Sequence, residues 1–305
     1  MSRVPVSQIL PLRHALLALA VVVVWGTNFV VIKFALASLP PLLLAGLRFA
    51  LAFFPAALFL PRPKVPLWAL AAYGLLIGVG QFGLLFIAMD GRISPGLASV
   101  VVQMQVFFTI GLAVYLRGER IRPFQLVALA LGLAGIATIW AFSHSTDATL
   151  SGILIVLAAG LSWALGNMVS TKAGGARILP FIVWSSAFAV PPLLLLSLMI
   201  EGRAEIEAGL ALAEPSAWAA VLWQSMGNTL LGYGIWAWLL QRHPAALVAP
   251  WALLIPVFGL LASALLLGEP LPGWKLGAAG LIVSGLAVGV AYPAWRRRRL
   301  EMGQG

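Results

Sequence analysis

Neutral amides and tryptophans are the residues within the apolar segments of this sequence that could bind a small molecule. Trp25 and Asn28 lie about one helical turn apart, and so do Trp163 and Asn167, so each pair shares one helix face. An amide can hydrogen-bond an ammonium or a carboxylate without adding fixed charge, and an indole face attracts cations or stacks on aromatic rings. We therefore predict a central binding cavity. Its expected lining residues are Trp25, Asn28, Gln81, Gln103, Trp163, Asn167, Asn228, Tyr233, Trp236 and Trp251.

The same residue types also have a structural interpretation. Asparagine and glutamine can tie neighbouring helices together in a membrane, and tryptophan packs between helices or sits at the lipid–water interface. Both interpretations stay open for any single amide, whereas for the whole set the mixed cavity is favoured. Gln103 and Gln105 are two positions apart and should not both face one cavity, so we expect at least one of them to be structural.

Arg48 and two prolines are candidates for gating or structural roles. Arg48 lies well inside an apolar segment, where it either bonds carbonyls at a helix break or offers a substrate carboxylate a counter-charge. Pro250 and Pro256 remove helix hydrogen bonds, which predicts either a gate that bends or a static kink. Lys33 lies near the end of its segment and can reach the interface.

The chemistry that is missing narrows the function classes. No aspartate or glutamate lies deep in an apolar segment, so the sequence offers no carboxylate proton relay. The chain has no cysteine and no G-x-x-x-x-G-K-[ST] loop, and His14, His144 and His243 lie at span ends, far apart in sequence. We therefore predict no catalytic residue, no metal site and no cofactor, and we disfavour an intramembrane enzyme or a channel.

Membrane-spanning helices are the elements that must hold these residues. Hydrophobic residues make up 62% of the 305-residue chain and charged residues only 9%, whereas a soluble domain carries about 25% charged residues. Lipid must therefore cover the surface. A helix needs about 20 apolar residues to cross a bilayer. Ten such segments are expected, with a sizeable connection only between Glu201 and Glu214. The segments are 14–37, 40–60, 66–89, 94–117, 123–142, 149–173, 178–200, 215–241, 245–267 and 273–293.

Loop charges predict the orientation of these helices. Lysine and arginine concentrate in the loops on the side of the two termini, whereas most acidic residues, including Asp90 and Asp147, fall on the other side. By the positive-inside rule, both termini are expected in the cytoplasm. The net charge of +10 belongs to these topology signals. No basic face interleaved with aromatic residues indicates a nucleic-acid partner.

An internal repeat relates the two halves of the chain. Gly135 matches Gly285 at an offset of 150 residues, and nearer the N-terminus Asn28 matches Asn167 at an offset of 139. Each repeat holds five spans, so the second copy must enter the membrane from the opposite side. The prediction is an all-α membrane protein of ten transmembrane helices in two inverted five-helix repeats. The first repeat is 1–146 and the second is 147–305.

These patterns resemble the drug/metabolite transporter superfamily, EamA family. The run Trp25-Gly26-Thr27-Asn28-Phe29 is similar to the opening signature of that family, and Gly118-Glu119 and Gly268-Glu269 resemble its span ends. The resemblance covers essentially the whole chain. Within the family, the aromatic-rich spans look closest to the YddG-type exporters of aromatic and other neutral amino acids. One difference between the halves is that Ala187 stands where an arginine would match Arg48.

The resemblance implies a secondary transporter of the bacterial cytoplasmic membrane. It would export small metabolites, above all neutral or aromatic amino acids, by alternating access, with uncoupled facilitation as one possible mode. A carrier of drugs, lipids or nucleotide sugars is the alternative within the superfamily, although a nucleotide-sugar site needs several cations for the phosphates. The expected partners are a small-molecule substrate and membrane lipid, with no nucleic acid, and the protein is expected to be a monomer or a homodimer.

Overall fold

The computed structural model describes residues 10–117, 123–142, 147–172 and 177–302. Within these ranges all regular secondary structure is helical, and the only strand-like pairing is an isolated bridge between Ile93 and Ala148. The all-helical prediction is therefore confirmed for the described part of the chain. The motif Gly118-Glu119 and the loop residue His144 lie outside the described residues.

The long helical runs correspond to the apolar segments of the sequence. They are α1 (Leu12–Leu36), α2 (Pro41–Phe59), α3 (Leu67–Met89), α4 (Pro95–Leu116), α5 (Pro123–Phe142), α6 (Leu150–Thr171), α7 (Ile178–Leu212), α8 (215–242), α9 (Ala249–Leu267) and α10 (Gly273–Met302). Eight runs among the described residues are long and apolar enough to cross a membrane. The other two are α8, which amide and hydroxyl side chains make more polar, and α10, whose apolar stretch Gly273–Gly289 is shorter.

The sequence predicts only a connection between Glu201 and Glu214. In the structure most of this connection is a helix. The backbone turns at Gly202, where φ is +82°, and the chain then forms the helix Gly202–Leu212. A glutamate in the first turn favours the helix dipole, and Arg203 Nε lies 2.6 Å from Glu207 Oε1 one turn later. These local pairs are compatible with a helix outside the hydrocarbon.

The ends of the helices form two faces, and we call the one where α1 ends the acidic face. There Glu201 accepts hydrogen bonds from the first free backbone N–H groups of α2, at 2.5 Å from Leu42 and 3.1 Å from Leu43. Lys275 Nζ lies 3.0 Å from Asp147 Oδ1 and joins α10 to the segment before α6. The acidic face is therefore held together by contacts between loops and helix ends that are far apart in sequence.

The opposite face, where α1 begins, carries the basic loops and is called the basic face. His14 Nδ1 and His243 Nε2 are 2.6 Å apart, which joins the start of α1 to the end of α8. Trp184 Nε1 donates to the carbonyl oxygen of Leu60 at 2.9 Å and joins α7 to the end of α2. Contacts that are distant in sequence therefore hold this face together as well.

Helices α5 and α10 pack side by side through two glycines. A Cβ atom on Gly135 would lie 2.5 Å from Ile282 Cγ1, and one on Gly285 would lie 2.6 Å from the carbonyl oxygen of Ala128. Only glycine allows this approach. Gly135 and Gly285 are also a matched pair in the sequence repeat.

Candidate functional site

A cavity of about 370 Å³ lies at the centre of the bundle, bounded by residues of α1, α3, α4, α6, α8, α9 and α10. The volume falls in the range of about 300–1,000 Å³ that is typical of small-molecule sites. Nine of the ten residues predicted to line a cavity do so, and their role in binding stays a prediction. They are Trp25, Asn28, Gln81, Gln103, Trp163, Asn167, Asn228, Tyr233 and Trp236.

An aromatic cluster forms the wall between α1 and α8. The ring of Trp25 has its centroid 5.1 Å from that of Tyr233 and 5.1 Å from that of Trp236. Trp25 Nε1 donates to the backbone carbonyl oxygen of Asn228 at 3.2 Å, so the indole is held in one orientation. This wall can stack on an aromatic ligand or attract an ammonium group.

Two π-helical stretches carry part of the lining. They are Leu75–Gly83 in α3 and Trp223–Gly232 in α8, and the offset of 150 residues brings the two into register. A π-helix has a wider turn than an α-helix and is often found at functional sites. The first stretch presents Gln81 to the cavity and the second presents Asn228.

Two amide oxygens on the cavity wall have no hydrogen-bond partner among the described residues. They are Asn28 Oδ1 and Gln81 Oε1, and both side chains are buried. A buried polar atom without a partner costs free energy, so such atoms call for a donor from a ligand or from water. Both oxygens have almost no accessible surface, so an ammonium or hydroxyl group of a ligand would pair with them once these amide side chains turn towards the cavity.

Gln103 and Gln105 both line the cavity, so the expectation that only one would do so was wrong. The cause is a short 3-10 turn, Val102–Met104, which changes the helical register between the two residues. Gln105 still has a structural role, because its Oε1 accepts a hydrogen bond of 3.3 Å from Asn167 Nδ2. Gln105 is absent from the predicted lining because a regular helix at this point would turn it away from the face of Gln103.

Trp251 is the predicted lining residue that is not on the cavity wall. Its half-buried ring packs instead against a cluster that contains Leu239 and Val248. The backbone Ala249–Leu254 is a 3-10 helix, with three residues per turn, which changes the direction of the side chains in this part of the chain. Ala252 and Leu253 reach the cavity in its place.

The two prolines of the ninth predicted span mark a change of helix type. Pro250 lies in the first turn of the 3-10 helix, and Pro256 lies in the first turn of the α-helix Ile255–Leu267. Proline is tolerated at both positions because the N–H it lacks would have no partner there. The break lies beside the cavity, and whether it bends during function stays a prediction.

Arg48 is buried behind the cavity wall. Its side chain is 1% exposed, and Nη2 donates to Thr229 Oγ1 at 3.2 Å. The guanidinium carbon lies 3.6 Å from the centroid of the Phe82 ring, and Phe82 itself lines the cavity. Lys33, the other basic residue within a predicted span, is exposed, in agreement with its expected position near the interface.

The aromatic share of the wall was underestimated from the sequence. Phe29, Tyr73 and Phe82 all line the cavity. Phe29 follows Asn28 in the chain, so a rule that included the neighbours of each amide would have found it. Tyr73 and Phe82 stand among many apolar residues in α3 and give no separate signal. No group of three or more His, Asp or Glu residues within the described ranges is placed to hold a metal ion.

Helices α1, α4 and α9 pack tightly beside the cavity. A Cβ on Gly26 would lie 2.6 Å from Phe258 Cβ and 2.8 Å from the carbonyl oxygen of Ile255. A Cβ on Gly259 would overlap the side chain of Ser99. The cavity lining itself extends towards both faces, since Asn167 lies near the basic-face end of α6 and Ile32 lies near the acidic-face end of α1.

Comparison with known families and proteins gives a consistent result. The model of the EamA-like transporter family matches this chain twice, over residues 12–141 and 150–290. A "Probable amino-acid metabolite efflux pump" of Salmonella typhimurium is 44% identical over 275 residues, which cover 88% of this chain and 92% of that protein. A protein of Escherichia coli with the same description is 41% identical over 290 residues, which cover 93% and 97% of the two chains.

A more distant relative and a solved structure extend the comparison. The "Uncharacterized inner membrane transporter YedA" of Escherichia coli is 31% identical over 289 residues, covering 90% of this chain and 89% of the other. One crystal structure superposes with a TM-score of 0.64 at 20% identity, over 92% of this chain and 96% of that one. At this identity the structural match supports the fold alone.

Proposed function

The chain belongs to the EamA-like transporter family, as the sequence resemblance indicated, and from this premise we propose that it exports neutral and aromatic amino acids. The observation that carries the proposal is the central cavity, where three tryptophans and two unpaired amide oxygens surround a space of about 370 Å³. The two relatives at 44% and 41% identity are described as probable amino-acid metabolite efflux pumps. The protein is thus grouped with carriers rather than enzymes.

We propose that all ten long helices cross the cytoplasmic membrane and form two inverted halves, 1–146 and 147–305. The family model matches once within each half. The paired π-helical stretches of α3 and α8, and the paired glycines Gly135 and Gly285, are related by the offset of the sequence repeat. The polar composition of α8 fits a helix that lines a cavity rather than one that faces lipid.

Alternating access follows from the inverted halves. In the proposed topology the basic face is cytoplasmic, because the lysine and arginine loops lie there. Beside the cavity, α9 packs closely on α1 at Gly26 and on α4 at Gly259, and the cavity lining extends towards both faces. Substrate would load from the cytoplasm when the cavity is open at the basic face, and export then requires opening at the acidic face with closure at the basic face.

The proposed mode is facilitated export down the substrate gradient. The acidic side chains that the structure describes lie in loops, at helix ends or in the helix Gly202–Leu212, and none lines the cavity. A carboxylate relay for protons would need such a group near the cavity. The amides and indoles on the wall do not titrate near neutral pH.

The first test is flux into liposomes that contain the purified protein. Labelled phenylalanine, methionine, threonine, lysine and glutamate are each offered with and without unlabelled amino acid inside, and with an imposed pH gradient. We expect saturable flux of the neutral amino acids and no response to the pH gradient. Trp163→Ala should abolish most of this flux because the indole lines the cavity, whereas Trp140→Ala, which alters an exposed residue of α5, should not.

Three outcomes of this test would count against the proposal. Absence of flux for all five amino acids in folded protein would reject the proposed cargo and favour lipids or drug-like cations. Flux that accumulates substrate against its gradient when a pH gradient is imposed would reject facilitation. Equal flux through the Trp163→Ala and Trp140→Ala variants would reject the cavity as the transport site.

A further inference from the structure

Arg48 carries a buried positive charge with incomplete hydrogen bonding. Its side chain is 1% exposed, and the bond from Nη2 to Thr229 is the one that the structure gives it. Nε and Nη1 have no hydrogen-bond partner among the described residues. A guanidinium has five N–H donors, so most of its hydrogen-bonding capacity is unused. An unsatisfied buried ion costs more than an unsatisfied neutral group, because both charge and donors have lost their water.

No acidic side chain within the described part of the chain compensates this charge. The ion pairs between described residues involve Lys275 and Arg203, not Arg48. The groups around the guanidinium are neutral: the rings of Phe49 and Phe82, and the hydroxyl of Thr229. These aromatic contacts stabilise a cation only partly. The guanidinium of Arg48 therefore lacks an anionic partner among the described residues.

The ring of Phe82 lies against both this cation and the cavity. Phe82 stacks on the guanidinium at 3.6 Å and also lines the cavity. Thr229, which accepts the one hydrogen bond, directly follows Asn228 of the cavity wall. Phe82 lies in the π-helical stretch of α3, where the helix departs from regular geometry. Rotation of the Phe82 side chain would therefore open the cavity to Nε and Nη1 of Arg48.

We propose that Arg48 is the carboxylate-binding residue of the transport site and that Phe82 covers it when no substrate is bound. This inference rests on the proposed function and adds the part of the substrate that is recognised. A zwitterionic amino acid would place its carboxylate on Arg48 and its ammonium on the free oxygens Asn28 Oδ1 and Gln81 Oε1. The unpaired donors and unpaired acceptors are thus satisfied together by one ligand.

The arrangement also sets the charge of the substrate. Ala187 stands at the position of the second half that matches Arg48, so the site has one such cation and not two. One cation suits one carboxylate. Substrates with a blocked carboxyl group should bind weakly, and the dianionic phosphates of nucleotide sugars lack the further cations they need.

The test compares two ligands that differ in the carboxyl group alone. Binding of L-phenylalanine and of L-phenylalaninamide is measured by titration calorimetry with the whole protein in lipid nanodiscs. Arg48→Gln should weaken binding of phenylalanine by about tenfold to a hundredfold, the scale of a lost charge-assisted hydrogen bond. Binding of the amide should change by no more than about twofold, within the error range of an unaffected site. Arg48→Lys should restore part of the loss, and Lys33→Gln, at an exposed basic residue, should leave both ligands unaffected.

Phe82→Ala provides a second line of evidence that does not require the arginine to be removed. Uncovering the guanidinium should increase the preference for phenylalanine over its amide. If Arg48→Gln does not fold, an unchanged or smaller preference in Phe82→Ala overturns the proposal.

Two results of the main titration separate this inference from the proposed function. Equal weakening of both ligands by Arg48→Gln, or no weakening of either, means that Arg48 is structural and overturns the inference while the amino-acid cargo stands. Binding of neither phenylalanine nor its amide, nor of the other four amino acids, to the wild-type protein overturns the proposed cargo and the inference with it.

Discussion

Trp25 Nε1 donates a hydrogen bond of 3.2 Å to the backbone carbonyl oxygen of Asn228, which fixes the first tryptophan of the cavity to the π-helical stretch of α8. The bond joins a residue of the first half of the chain to one of the second. A Cβ on the neighbouring Gly232 would lie 2.6 Å from the same indole nitrogen, so the ring has little room to move. These contacts hold the Trp25 ring in its position on the cavity wall.

Trp25→Phe should therefore reduce both stability and transport. The substitution keeps an aromatic ring but removes the indole N–H, and loss of this partly buried hydrogen bond costs about 1 kcal/mol. Thermal unfolding in detergent and phenylalanine flux in liposomes measure the two effects. The control is Trp140→Phe, at an exposed position of α5. An unfolding temperature and flux equal to those of the control would mean that the bond does not hold the ring.

Gly26→Ala should loosen the packing of α1 against α9. The added methyl group would lie 2.6 Å from Phe258 Cβ and 2.8 Å from the carbonyl oxygen of Ile255, and backbone cannot yield as a flexible side chain can. The chain has no cysteine, so Ser99→Cys, at a fully buried position that packs against Gly259 of α9, serves as a single reporter. A membrane-impermeant maleimide added to whole cells should label this reporter faster in the Gly26→Ala background.

Gly111→Ala is the matched control, because a Cβ at Gly111 has no neighbour within 4 Å. Labelling of the Ser99→Cys reporter should be equally slow in this variant and in protein with the native glycines. If Gly26→Ala also leaves labelling slow, α1 and α9 tolerate the methyl group and their packing does not depend on this glycine.

The orientation of the helices can be measured with single cysteines at exposed positions outside the long apolar runs, one in a loop and one in the helix Gly202–Leu212. Positive-inside topology predicts that Lys64→Cys faces the cytoplasm and that Arg203→Cys faces the outside. An impermeant maleimide should label Arg203→Cys in intact cells, and Lys64→Cys only after the cells are broken. The reverse labelling pattern would invert the proposed topology and place the basic face outside the cell.

Most of the residues that line the cavity could be predicted from the sequence because two simple rules apply to them. A polar side chain inside a long apolar helix is costly unless it has a partner, so Asn28, Gln81 and Asn228 indicated the interior of the bundle. Helical spacing then grouped an amide with a tryptophan on the same face, as for Trp25 and Trp163. These rules use only local sequence, and the apolar runs that they rely on also identified the helices themselves.

The other features of the site depend on local helix geometry that a fixed number of residues per turn does not describe. The 3-10 turn at Val102–Met104 brought Gln105 to the wall, and the 3-10 helix Ala249–Leu254 removed Trp251 from it. Both errors follow from the assumption of 3.6 residues per turn. The contact of Arg48 with Phe82 joins α2 to α3 and has no signature in either helix alone. Tertiary packing decides such contacts.

Lys275→Met should destabilise the acidic face strongly. Lys275 is fully buried, and its Nζ lies 3.0 Å from Asp147 Oδ1 and 4.0 Å from Glu269 Oε2. Methionine keeps the length of the side chain but leaves two partly buried carboxylates without their cation. Breaking a buried ion pair in this way costs about 3–5 kcal/mol, and we expect the lower end because Asp147 is 18% exposed and can regain some water. Unfolding in sodium dodecyl sulfate measures the loss.

The exposed pair of the same protein gives the matched control. Arg203 and Glu207 are 83% and 62% exposed, so Arg203→Met should cost no more than about 1 kcal/mol, the upper range for a surface pair. Asp147→Asn in the Lys275→Met background should recover part of the stability, because it removes one of the unpaired charges. If Lys275→Met and Arg203→Met cost the same, or if Asp147→Asn adds to the loss, the carboxylates of the acidic face are solvated and the pair does not hold α10 to the rest of the bundle.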